Sequence, residues 1–464
     1  MTHPNGMYAR SRMRRPAAAL VAAAFVAAAL AGAFPAAAAK KAGPAGPRLA
    51  KFPATVETLA NGLKVILIED HSVPVVSRWT FYRVGARNER PGITGISHYI
   101  EHMMFNGAEK YGPKEFDRIL ESNGGYSNAY TSEDMTAYYE DFASDILELC
   151  IDLDSDRMRS LAFDPKFVVS EMGVVREERR LSVDNSIDGV MWEELSALAY
   201  KAHPYGWGVI GWDSDLAAIT RDDAVTYWKS YYSPNNAVLV IVGDFETKRA
   251  LELVRTYYGD IPAQPPVPPV RTVEPEQWGE RRGELRRSAE MPALLVGYHI
   301  PNVKSHDIYA LDVLQIVLSG GESSRLYKKL VRDLGIAVYA QANAEWKIDP
   351  GLFTFDVKLK PGMDPAAGER ALYDELDAIA AGGITAAELE KAKNRVLSSF
   401  YNGIQTVNGK ANRIGRYELL FGDFNEIYKV QDRYQAVTVE DVKRVAGEYF
   451  KKTNRNVMTL IPEA

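Results

Sequence analysis

His98-Tyr99-Ile100-Glu101-His102 sets two imidazoles four residues apart with a carboxylate between them. On a helix, positions i and i+4 lie on one face, so both rings can reach a single tetrahedral zinc ion. Glu101 follows His98 by three residues and shares that side. Its carboxylate would stand beside the metal, placed to take a proton from a zinc-bound water whose pKa the ion lowers to about 7. A catalytic zinc wants three protein ligands and one open position, so a third donor must come from elsewhere. The carboxylate-rich run at 169–181 is the obvious source. Within it Glu171 and Glu178 are seven apart and share a helical face, whereas Glu177 points about 100° away. Glu and Arg at this spacing also suit a solvated, ion-paired surface, and it is the histidine pair that turns the reading towards a metal.

Those side chains need helices to carry them, and apolar periodicity predicts helices at 96–106 and 165–181. Similar periodicity occurs at 113–123, 143–160, 188–200, 305–319, 366–381 and 386–403, with strand signals at 64–69, 75–84, 137–142, 293–298 and 352–359. Helices and strands mix without strict alternation, so the expected class is α+β, with helices packed on largely antiparallel sheets. Pro262, Pro265, Pro266, Pro268 and Pro269 crowd into a segment that can be neither helix nor central strand. It reads as a linker over 262–279 between an N-terminal domain at 48–261 and a C-terminal domain at 280–464.

The two halves carry a common ending. Thr220, Asp223 and the pair Tyr231-Tyr232 precede Asn236 and a β-branched run. Thr438, Asp441 and the pair Tyr449-Phe450 precede Asn454 and another such run. Equal spacing at each half's end points to duplication, hence two homologous domains.

With 46% hydrophobic and 25% charged residues over 464 positions, the composition is that of a soluble globular chain. A net charge of −6 gives no electrostatic case for nucleic acid and leaves a peptide or small molecule as substrate. Arg10, Arg12, Arg14 and Arg15 precede an apolar run at 17–33 and small residues at 36–39. Residues 1–39 thus read as a secretory signal peptide, and the expected product is a periplasmic protein with no stable membrane span once the signal is removed. Cys150 is the sole cysteine, so no intramolecular disulfide can form.

Taken together, the inverted His-x-x-Glu-His motif and the later Glu-x6-Glu pair resemble the family of pitrilysin, insulin-degrading enzyme and the mitochondrial processing peptidase, in a short two-domain form. The likeness takes in Leu59-Ala-Asn-Gly-Leu-Lys-Val65, Val84-Gly-Ala-Arg87, Gly124-Gly-Tyr-Ser-Asn-Ala-Tyr-Thr131 and His203-Pro-Tyr-Gly206. It implies a zinc endopeptidase for short or unfolded peptides, with one Zn2+ per chain. His98, His102 and Glu178 become the metal ligands, Glu101 the general base, and Glu171 a carboxylate that orients the site. Glu177 stays open as the alternative third ligand. An extended peptide is expected on a strand edge near Asn128, Ala129 and Tyr130. A non-catalytic peptide-binding or assembly subunit is the alternative on the same fold.

One departure stands out. Many members of the family carry an Arg and, seven residues on, a Tyr in the second half. Aligned on Leu330 and Gly335, those positions hold Val331 and Val338 here, while Arg332 and Tyr339 sit one residue late. A one-residue shift turns a helical side chain by about 100° and flips a strand side chain to the other face. The pair is therefore expected to be lost. A homologous partner subunit, metal-free in a heterodimer or a second copy in a homodimer, is expected to supply it.

Overall fold

β-Branched and aromatic runs separated by Gly, Pro and Asn turns build two sheets, seen in a computed structural model that describes residues 48–463. The expected signal peptide lies outside the described residues. In the first half β1 (Ala54–Thr58), β2 (Lys64–Glu69), β3 (Val75–Tyr82), β4 (Tyr126–Thr131), β5 (Thr136–Ala143) and β6 (Ala237–Gly243) line up as β1-β2-β6-β3-β5-β4. In the second half β7 (Arg281–Ser288), β8 (Ala293–Ile300), β9 (Ala337–Ala344), β10 (Gly351–Leu359) and β11 (Arg455–Glu463) line up as β7-β11-β8-β10-β9. Leaving β1 aside, the two orders match strand for strand. Even the single parallel pair recurs, β2 with β6 and β7 with β11.

The repeated ending works the same way in both copies. Thr220 and Thr438 close capping boxes with Asp223 and Asp441, starting helices Arg221–Tyr231 and Val439–Tyr449. Asn236 Nδ2 then donates to the Tyr231 carbonyl at 2.8 Å, and Asn454 Nδ2 to the Tyr449 carbonyl at 2.9 Å, aiming the next strand.

Each half also covers the other's sheet. β6 has no polar face: Val238, Val240 and Val242 enter one core while Leu239 and Ile241 enter another. The first of these cores is shared with second-half residues such as Leu294, Phe353 and Ile414. Helix Val407–Phe421 closes on β3 because Gly415 has no side chain, and a Cβ there would overlap the Phe81 ring. In return, helix Ile187–Ala199 of the first half lays Met191 and Leu195 on Leu295, Met458 and Leu460 of the second sheet. Residues 262–280 form neither helix nor strand. This stretch is nevertheless fastened, since Glu274 accepts from the backbone N–H groups of Lys201, Ala202 and His203 at 2.8–3.0 Å.

Several boundaries differ from expectation. The helix expected at 96–106 ends at Met103, where Asn106 Nδ2 turns back to the His102 carbonyl at 3.1 Å. The stretch holding Arg332 forms a short π-helical turn, Tyr327–Asp333. β7 was not expected as a strand because its Arg and Glu side chains are those of a solvated edge. Cys150 is buried. Among the described residues, no helix is long and apolar enough to cross a membrane.

Candidate active site

The helix that carries the histidines is fixed at its start by carboxylates. Gly95 precedes Ile96–Met103 with a φ of 86°, and a Cβ there would press on the Ile210 carbonyl. Glu89 accepts from the N–H groups of Gly95 and Ser97, both at 2.8 Å, satisfying amides that Gly95 has no side chain to cap. Ile96, Tyr99, Ile100 and Met103 face the core. His98, Glu101 and His102 are thereby turned towards helix Pro165–Arg179, itself started by Asp164 and Pro165.

Three donor atoms converge between the two helices. His102 Nε2 lies 3.4 Å from Glu178 Oε2 and His98 Nε2 lies 3.8 Å from the same oxygen. The ligand atoms of His98, His102 and Glu178 all fall within 4.8 Å of one another. Tetrahedral zinc with bonds of about 2.0–2.1 Å spaces its ligand atoms about 3.3 Å apart, so this donor set fits the ion in both chemistry and separation. Glu177 is not part of the cluster; Arg180 binds its carboxylate at 2.8 Å on the exposed side of the helix.

Around these atoms the polar partners are specific. Glu171 Oε1 sits 2.9 Å from His102 Nδ1, and its Oε2 accepts from Asn106 Nδ2 at 3.0 Å. Donation from Nδ1–H to Glu171 leaves Nε2 with a free lone pair, the tautomer a metal requires. His98 Nδ1 is buried with no hydrogen-bond partner among the described residues. Glu101 Oε2 accepts from Thr131 Oγ1 at 2.5 Å.

Burial, with a smaller contribution from His102, pulls His98 down to about 4, so its imidazole is neutral at pH 7 and free to bind a cation. Burial also lowers His102, but the Glu171 hydrogen bond and the charges of Glu101, Glu171 and Glu178 outweigh it and raise the group. Those carboxylates favour positive charge at that position. Glu101 is raised by burial, an effect the Thr131 hydrogen bond and His102 partly offset.

Asn128, Ala129 and Tyr130 all lie on β4. β4 is the outer strand of its sheet. The Ala129 N–H donates to Asn128 Oδ1 at 2.8 Å and so points away from β5. By alternation the main-chain groups of Asn128 and Tyr130 turn inward to β5, so of the three residues only Ala129 offers its backbone to a ligand. The Tyr130 ring instead meets Trp79. Two cavities flank Glu101. One of about 970 Å³ is bordered by Phe105, Lys114, Arg118 and Val174, and one of about 320 Å³ by Tyr130, Val209 and Ile210.

The second half contributes no residue to either cavity. Arg332 is exposed and pairs with Asp333 at 2.7 Å, and the Tyr339 hydroxyl bonds Asp356 at 3.2 Å. Val331 packs against the second-half core while Val338 is exposed. Thr131 and Asn106 were not singled out by sequence. Asn106 follows His102 by four residues, which is a legible signal; Thr131 depends on strand phase and gave none.

Residues 64–211 match the description "Insulinase (Peptidase family M16)" and residues 218–396 match "Peptidase M16 inactive domain". Over 409 residues the chain is 31% identical to zinc protease PqqE of Helicobacter pylori, covering 87% of this chain and 92% of that protein. The chain belongs to peptidase family M16. A solved protease structure from Helicobacter pylori matches it with a TM-score of 0.86 at 31% identity, over 89% of this chain and 100% of that one. The first half of the periplasmic protease PqqL from Escherichia coli shares the fold at 21% identity and a TM-score of 0.73, over 90% of this chain and 94% of that one. The M16 fold accounts for the duplicated halves. The match described as inactive spans residues 218–396, whereas the His98–Glu178 cluster lies wholly before it, within the insulinase match.

Proposed function

We propose that this M16 chain is a zinc-dependent endopeptidase that cleaves short or unfolded peptides in the periplasm. The observation that carries this is the convergence of His98, His102 and Glu178 donor atoms beside Glu101, at the edge of an open-sided sheet. His98 Nε2, His102 Nε2 and a Glu178 oxygen would hold the ion. When bound, zinc supplies Lewis acidity to the peptide carbonyl and makes a water easier to deprotonate. Glu101 takes the proton of the attacking water, holds it on its carboxylate and returns it to the leaving amine nitrogen. Thr131 Oγ1 keeps that carboxylate aimed at the site. Glu171 holds the His102 tautomer, so Glu171→Gln should weaken zinc binding about 10- to 100-fold in competition with a chelator. A change under about threefold would remove Glu171 from this role.

Substrate adds to β4 as an extended strand paired through the Ala129 backbone. Proline is tolerated on an edge strand but removes one donor. Ala129→Pro should therefore lower kcat/KM about three- to tenfold, chiefly through KM. Unchanged kinetics would mean that the peptide does not pair there.

We infer a homologous partner subunit, because Arg332 and Tyr339 are engaged with Asp333 and Asp356 and no second-half residue borders the cavities at Glu101. Without those groups the developing oxyanion has fewer donors. The purified chain alone should cleave an unfolded peptide slowly, lose that activity to a chelator and regain it with zinc. Fast cleavage by the isolated monomer would sink the partner requirement, and activity indifferent to the chelator would sink the metallopeptidase reading.

A further inference from the structure

A third cavity lies in the other half of the molecule and shares no lining residue with the two at Glu101. It measures about 490 Å³ and opens between helices Asp307–Ser319, Ala386–Asn402, Val407–Phe421 and Val430–Ala436. That volume is within the range of small-molecule sites. Aromatic side chains of Trp346, Phe400, Tyr417 and Tyr434 form much of its wall.

Its charge is lopsided. Arg395, Arg413 and Arg416 all border the cavity. Arg395 donates to the Gly320 carbonyl at 2.6 Å, Arg413 lies over the Phe400 ring at 5.5 Å, and Arg416 lies beside the Tyr130 hydroxyl. None of the three makes an ion pair among the described residues, where most buried or clustered arginines of this chain do: Arg78, Arg157, Arg179, Arg325 and Arg433 each hold a carboxylate. Asp312 is the sole acid in the wall, and it is already engaged by the Tyr434 hydroxyl. Burial pushes Asp312 up to about 6, with the Tyr434 and Trp346 hydrogen bonds and the Arg413 charge partly offsetting it, so at pH 7 it sets one carboxylate against three guanidinium groups. Guanidinium groups left without carboxylates in a concave, aromatic-lined recess concentrate positive potential on whatever enters it.

We propose that this cavity binds the carboxylate of an organic anion with an apolar body, the carboxylate meeting Arg413 and Arg416 and the body meeting the aromatic wall. Two sources present that chemistry, the C-terminal end of a peptide and a free aromatic acid. The site is independent of the zinc chemistry and stands whether or not Glu101 is a base.

The test is calorimetric titration of the full chain, with zinc and again after chelation, using N-acetylphenylalanine, its amide, inorganic phosphate and the tripeptide Ala-Ala-Phe. The free acid should bind in both states and raise Tm, and the amide should bind about tenfold more weakly or less. Arg413→Gln and Arg416→Gln should each cost the acid about tenfold. Arg416 is exposed but lies beside the Tyr130 hydroxyl, so an unchanged Tm of the ligand-free variant shows that the fold is kept, and Tyr130→Phe, which loses the same contact, should leave acid binding unchanged. Tighter binding of the tripeptide supports the site and assigns it to peptide ends, whereas tighter binding of N-acetylphenylalanine supports it and assigns it to free acids. The proposal is overturned if acid and amide bind alike, if phosphate matches the acid, if binding vanishes on chelation, if the Arg416 variant binds unchanged, or if no probe binds.

Discussion

Glu101→Gln is expected to reduce peptide hydrolysis by about 10²- to 10⁴-fold while the zinc content of the protein stays the same. Glutamine preserves the volume of the side chain and still accepts from Thr131 Oγ1, which lies 2.5 Å from the native carboxylate. It cannot take up a proton. The loss should fall on kcat rather than KM, because in the proposed binding mode the β4 edge, and not Glu101, holds the substrate. Turnover within about tenfold of the parent would require another base, and among the described residues the carboxylates whose charge acts on His102 are, besides Glu101, only the ligand candidate Glu178 and the His102-bound Glu171.

The second large effect separates two neighbouring glutamates. Glu178→Gln replaces a charged oxygen donor with a neutral amide 3.4 Å from His102 Nε2, and should leave a two-histidine site that binds zinc too weakly to survive dialysis. Hydrolysis should vanish with the metal. Glu177→Gln breaks only a solvent-exposed contact with Arg180 and should leave zinc and activity intact. Metal analysis of the two variants side by side decides the point. Loss of zinc from the Glu177 variant, with retention in the Glu178 variant, would reverse the assignment of the third ligand.

How far the site could be read from sequence follows from which distances are local. His98, Glu101 and His102 sit within five consecutive residues, so helical geometry alone fixes their shared face. Glu171 and Glu178 share a face for the same reason. Choosing Glu178 over Glu177, by contrast, depends on the rotational phase of one helix against another, which is a tertiary quantity. Strand phase has the same limit. Residues 124–131 stand out as a segment, but only pairing with β5 turns the Ala129 amide outward and brings Thr131 to Glu101.

Much of the fold was legible where the repeat repeated. The capped helices after Thr220 and Thr438, and the strands that follow, announced the duplication that the matched sheet orders display. β7 and β9 were not legible. The first is too charged to look like a strand, and the second alternates small residues whose burial depends on the partner β10. Nor could sequence foretell that each half lends a helix to the other's sheet, since Gly415 against Phe81 and Leu195 against Leu295 are contacts between residues far apart in the chain.

The most direct check of the central claim is an anomalous-difference map at the zinc absorption edge from crystals of the purified chain. One strong peak is expected about 2.0–2.2 Å from His98 Nε2, His102 Nε2 and a Glu178 oxygen, with a fourth position open towards Glu101. A peak held by Glu177 instead, a peak away from the two histidines, or no peak after zinc is supplied would contradict it.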